Sequence, residues 1–182
     1  MVRKLQKKEK KLLAVLLLLV VFNLLAIPMY FVMYYNLSFL PLQNFLATAT
    51  SNFLKLLGYA VAQDGHTVVT SAGSDVHSIE ISWDSTGWKS MYALVALGLI
   101  TPVKGWKKRM KFVCTAVPTV FFLNFLRIVT TILIALNFGF HYFEFVHTFL
   151  WREGLILAVI GIWGIWLWNE KDNINVNQYI IR

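Results

Sequence analysis

Four stretches of the chain are apolar almost throughout, and the polar residues collect between them. They are "LLAVLLLLVVFNLLAIPMYFVMYY" (12–35), "WKSMYALVALGLITPVK" (88–104), "FVCTAVPTVFFLNFLRIVTTILIAL" (112–136) and "LWREGLILAVIGIWGIWLW" (150–168). A helix that crosses a bilayer needs about 20 mostly apolar residues, so each stretch predicts a spanning helix. The first follows the basic run "RKLQKKEKK" within residues 1–11. It is longer than the apolar core of about 7–15 residues in a signal peptide and lacks a small-residue cleavage site, so a retained anchor is expected, with its N-terminus inside.

The segments between the spans differ in pattern. Residues 37–62, "LSFLPLQNFLATATSNFLKLLGYAVA", have helical periodicity but carry Gln43, Asn44, Asn52 and Lys55. Were this segment a span, "KKRMK" would fall outside, against the retention of Lys and Arg in cytoplasmic loops. An interfacial amphipathic helix on the outer surface is expected instead. Residues 64–84, "DGHTVVTSAGSDVHSIEISWD", alternate β-branched with polar positions around Ala72-Gly73-Ser74-Asp75, which predicts an extracytoplasmic β-hairpin.

Composition supports this layout. Of the 182 residues, 58% are hydrophobic and only 14% charged, where a soluble domain carries about 25% charged. The net charge of +8 would point to nucleic acid in a soluble chain. Here the basic residues lie in blocks beside apolar runs, so no nucleic-acid partner is expected. The layout puts 13 of the 17 Lys and Arg residues on the cytoplasmic side, including those of the tail 169–182. The predicted fold is an all-α integral membrane bundle in one domain, 1–182. It has about four transmembrane helices, an interfacial helix and a small extracytoplasmic hairpin.

Three polar positions then share the outer end of the bundle. Ser85 opens the second span. Arg127 lies fifteen residues beyond Phe112, about 22 Å up the third helix and so in the outer leaflet. An arginine there is costly and ordinarily faces a bundle interior or wet cavity; snorkelling to the headgroups is the bland alternative. Asn124, one turn earlier, makes a polar patch with it. His147 precedes the fourth span, whereas His66, His77 and His141 read as solvated. The single cysteine, Cys114, excludes a disulfide and a multi-cysteine metal site. It lies about 20 Å deeper than Arg127 and reads as a small buried residue. No metal or cofactor is expected. Asp84 reads as a helix cap before the second span, with orientation of His147 as its alternative. Glu80, Arg152 and Glu153 read as surface or interfacial charges.

The motifs "DSTGWKS", "LNFLRI" and "FVHTFLWREG", in this order, resemble the exosortase/archaeosortase family of membrane cysteine transpeptidases over roughly residues 65–168. The family places a Cys-Thr/Ser-Gly tripeptide after a hairpin, Asn-x-x-Arg in the next helix and a His or Arg before the last. The resemblance implies cleavage of a C-terminal sorting signal (a short motif, a hydrophobic helix and a basic tail) on secreted proteins. An acyl-enzyme would form at position 85, and a membrane lipid or other surface molecule would accept the protein. It implies His147 as acid/base and Arg127 as oxyanion or carbonyl donor. Asn124 would hold the guanidinium, and Thr86, Gly87 and Asp84 would support the site. The departure is Ser85, where the family has its nucleophilic cysteine. An inactivating Cys-to-Ser change is expected, with a natural serine form as the alternative. Two other classes remain open: an intramembrane serine protease using Ser85 and His147, and a non-catalytic assembly subunit.

Overall fold

The computed structural model of the chain describes residues 7–72, 75–142, 146 and 153–173. Five helices and a small sheet occur among them in the order α1 (Lys7–Tyr34), α2 (Leu40–Leu56), β1 (Val61–Asp64), β2 (Thr67–Ala72), β3 (Asp75–Glu80), α3 (Trp88–Ile100), α4 (Trp106–Phe138) and α5 (Leu155–Asn169). A 3₁₀ turn, Trp83–Thr86, joins β3 to α3. Among the described residues, α4 is the one helix long and apolar enough to cross a membrane. Shorter apolar stretches lie at Leu19–Tyr34 within α1, in α3 and in α5.

The predicted helix over 37–62 is shorter in the structure. Pro41 sits in the first turn of α2, where its missing N–H costs nothing. The helix stops at Gly58, whose φ is 88°. Gly58 N–H donates to the Lys55 carbonyl and Tyr59 N–H to the Leu54 carbonyl, the pair of bonds that satisfies the last carbonyls of a helix. That stop frees Val61–Asp64 to pair antiparallel with Thr67–Thr70 through a two-residue turn opened by Gly65. The expected hairpin is therefore corrected to a three-stranded sheet of order β1-β2-β3. Its second half, Thr67–Glu80, pairs in the anticipated hairpin register, Ala72 opposite Asp75.

One stripe of α4 packs against α2, α3, α5 and the sheet, and α1 joins through α3, where Tyr92 donates to the Leu25 carbonyl. Towards its N-terminal end, Phe112, Ala116 and Val120 pack with Leu94 of α3 and with Leu155 and Val159 of α5. Towards its C-terminal end, Ile128 and Ile132 pack with Leu46, Ala47 and Leu54 of α2, Val68 of β2 and Ile81. The α3–α4 crossing is close because Gly98 has no side chain: a Cβ there would lie 2.8 Å from Phe112 Cδ1. Small residues allow this approach between helices in an apolar surround.

Two further expectations are corrected. Helix α4 starts at Trp106 rather than near residue 112, so "WKKRM" is helical; Lys and Arg are good helix formers, and the chain turns into the helix at Gly105, whose φ is 96°. Cys114 is exposed, not buried, because it lies off the α4 stripe that packs against α3 and α5. The histidines expected to be merely solvated have neighbours: His66 lies 3.4 Å from Glu80, and His77 stacks on Phe140 with centroids 3.6 Å apart.

Candidate functional site

Between the two apolar clusters the α4 stripe turns polar, with Asn124 fully buried and Arg127 8% exposed. Both point at the segment between β3 and α3. That segment is held from several sides. Ile81 N–H continues the sheet by donating to the His66 carbonyl. The Gln43 side chain of α2 donates through Nε2 to the Ile81 carbonyl at 3.0 Å. Ser82 caps the 3₁₀ turn, its Oγ accepting from Ser85 N–H at 3.3 Å, the usual service of a serine three residues ahead.

Position 85 sits at the centre. The Ser85 carbonyl accepts from Asn124 Nδ2 and from Arg127 Nη2, each at 3.0 Å. A guanidinium donor makes the second bond charge-assisted. The Ser85 hydroxyl lies 2.8 Å from Ser82 Oγ. Thr86 is wholly buried and donates to the Trp83 carbonyl at 2.7 Å. Gly87 then adopts the left-handed conformation, φ 74° and ψ 12°, and leads directly into α3. Stacked indoles of Trp83 and Trp88, with centroids 5.3 Å apart, flank the turn.

The structure thus brings Ser85, Thr86, Gly87, Asn124 and Arg127 together. Asn124 was expected to hold the guanidinium; instead it shares the Ser85 carbonyl with Arg127, and its own Oδ1 has no hydrogen-bond partner among the described residues. Asp84 does not cap α3, which has no side-chain cap, and forms a 2.9 Å ion pair with Lys89. His147 lies outside the described residues. Ser82 and Gln43 are the contributors that motif reading passed over. The Ser-x-x-Ser spacing ahead of the turn was a usable signal for Ser82. Gln43 had none beyond being a polar residue in a helical pattern.

A cleft of about 460 Å³ opens beside the turn, lined by Asp84, Gly87, Lys89 and Arg127 on one side and by Phe22 and Val159 on the other. Arg127 also borders a smaller cleft of about 250 Å³ shared with Thr130 and Gly154. Helices α1 and α5 therefore flank a passage that reaches the arginine and both neighbours of Thr86 and Ser85. Its walls are largely apolar.

No curated protein and no solved structure matches the chain. A family model described as transmembrane exosortase matches residues 8–171, from the second residue of α1 to beyond the end of α5. That span contains the serine turn, the Asn-x-x-Arg pair bonded to it and the cleft beside them, and the chain is a membrane protein that belongs to the transmembrane exosortase family.

Proposed function

We propose that this protein is a membrane transpeptidase of the exosortase/archaeosortase type. The observation that carries the proposal is the joint hold of Asn124 and Arg127 on the carbonyl of residue 85, beside an apolar-walled cleft. In this reading the chain crosses the membrane four times, with both termini cytoplasmic, α2 on the outer surface and the sheet outside. The substrate is a secreted protein with a C-terminal signal of short motif, apolar helix and basic tail. The apolar helix lies along the cleft and presents the scissile amide at its outer end.

The cysteine of the active form, at position 85, attacks the scissile carbonyl as a thiolate. The thiolate is favoured by a helix N-terminus and a nearby arginine, both of which adjoin position 85. The C–N bond breaks, His147 gives a proton to the leaving amine, and a thioester remains. A lipid amine or surface glycan then attacks the thioester, His147 takes the acceptor's proton, and the sulfur leaves as the thiolate, which restores the starting charge states. Arg127 and Asn124 hold the turn so that the nucleophile keeps one direction of approach, and Arg127, bordering the cleft, faces the developing oxyanion. With Ser85 in place the alcohol must lose its proton during attack, and it is a far weaker nucleophile than the thiolate. This chain then carries an inactivated form of the site.

The test is co-expression of a tailed substrate with the Ser85→Cys chain. Processing by Ser85→Cys, absent with Ser85 and absent again in Ser85→Cys/Arg127→Ala, supports the reading. Hydrolysis by the Ser85 chain without transfer to an acceptor would establish a serine protease instead. Normal assembly of partners with Arg127→Ala and His147→Ala, and no covalent intermediate, would mark a non-catalytic subunit.

A further inference from the structure

At the end of the bundle away from the serine turn lies a second groove, of about 470 Å³, between α4 and α5. Its mouth holds Lys108, Lys111, Asn169 and Glu170. Deeper in, Thr115, Thr119, Ile162 and Ile165 line it. The two threonine hydroxyls donate to carbonyls of their own helix, Thr115 to Lys111 and Phe112, and Thr119 to Thr115. Their polarity is thus satisfied within α4, and beyond the mouth the wall is largely apolar, with Phe112, Ala116, Ile162 and Ile165. Phe112 and Trp166, stacked with centroids 4.1 Å apart, close its inner wall. From Lys111 to Thr119 the groove follows α4 for about 12 Å, the reach of a good part of an acyl chain.

The charges at the mouth are unequal. Lys108 pairs with Glu170 at 2.8 Å and ties α4 to α5, so that acid is offset. Arg109 is turned away, donating to the Val103 and Leu99 carbonyls at the end of α3. Lys111 brings a second positive charge to the mouth, and Lys104 and Lys107 stand exposed nearby on the same basic block. The combination is a cationic, hydrogen-bonding mouth above an apolar slot open to the surroundings of the helices.

We propose that this groove is a binding site for an anionic phospholipid. Its phosphate sits between Lys108, Lys111 and the Asn169 amide, and one acyl chain lies along Thr115, Thr119 and Ile165. Basic pockets between membrane helices on the cytoplasmic side bind anionic headgroups in this way. The site rests only on the membrane character of the chain, not on the transpeptidase reading. It would bind lipid whether or not position 85 is active.

Native mass spectrometry of the purified full chain in detergent, titrated with dioleoyl-phosphatidylglycerol or dioleoyl-phosphatidylcholine, tests it. Phosphatidylglycerol should bind about five-fold more tightly, since each lysine near a lipid surface is worth about five-fold and Glu170 offsets one of the two at the mouth. Lys111→Gln, which leaves the Lys108–Glu170 pair in place, should lower that affinity about five-fold, and Lys108→Gln/Lys111→Gln about 25-fold. Lys104→Gln/Lys107→Gln removes the same charge outside the groove and should change it about two-fold or less. Equal binding of the two lipids, or equal loss in the two double variants, would overturn the proposal. So would glycerol phosphate displacing the lipid at matched concentration, or a dimer in the same spectra that sheds lipid as it forms.

Discussion

The amide of Asn124 occupies the space that a side chain at Gly87 would need: an ideal Cβ there lies 2.8 Å from Asn124 Cγ. Gly87 is also in the left-handed region, φ 74°, which costs an L-residue about 1–2 kcal/mol. Gly87→Ala should therefore push Asn124 off the Ser85 carbonyl as well as strain the turn. A loss of about 2–3 kcal/mol is expected, read as a lower midpoint in thermal unfolding of the detergent-solubilised protein. An unchanged midpoint would mean that the turn and α4 are not locked together.

Removal of Arg127 should act on rate. In the Ser85→Cys background, Arg127→Ala should lower substrate processing about 100- to 1,000-fold. Arg127→Lys should fall between, since a lysine keeps the charge but not the planar fork. Asn124→Ala leaves one donor on the same carbonyl and should slow processing about 2- to 10-fold, the loss of one net hydrogen bond of about 0.5–1.5 kcal/mol. Processing rates measured by the appearance of the shortened substrate check all three, and equal rates for Arg127→Ala and its parent would remove the arginine from the mechanism.

Ser82 should behave as a positioning residue. Ser82→Ala deletes both the cap on the 3₁₀ turn and the 2.8 Å neighbour of the position 85 hydroxyl. It should cost about 1 kcal/mol in stability and slow processing in the Ser85→Cys background. Ser82→Thr keeps the oxygen and should restore most of the rate. If threonine fails to rescue while both variants fold normally, the hydroxyl is not what matters there.

Cys114 should be chemically reachable and dispensable. It is exposed on α4 and lies away from the serine turn. Cys114→Ser should stay within about 0.5 kcal/mol of the parent. N-ethylmaleimide should label the solubilised parent chain and not Cys114→Ser, leaving the thermal midpoint in place. A large destabilisation on labelling would show the thiol to be packed after all.

Much of this architecture was legible because long apolar runs in an apolar surround form helices, whose backbone groups are satisfied internally. The α3 and α5 segments, the α4 core and the antiparallel pairing of β2 with β3 across residues 72–75 all follow from local pattern. The Asn124–Arg127 pair stood out because two such residues one turn apart in an apolar run need a partner. What stayed hidden depended on three-dimensional neighbours. Gln43 looked like a reason for α2 to face water, yet it is buried against the rest of the fold. Whether a polar residue on a helix points outward or inward depends on which carbonyls lie across from it, and Ile81 is 38 residues away in the chain. Strand β1 was missed for the converse reason: Val61–Asp64 has too few residues to show alternation apart from its partner.

The placement of Asn124 and Arg127 between two apolar clusters on one continuous helix has a consequence for how this chain can vary. Each added residue turns an α-helix by about 100° and lengthens it by about 1.5 Å. An insertion between Val120 and Asn124 would leave the lower contacts seated while swinging the carbonyl donors out towards lipid. Substitutions on the outward face of that rod meet almost no such restriction. Tolerance in this protein is therefore governed by angular phase along a single rod: side-chain identity can drift widely there, while chain length cannot.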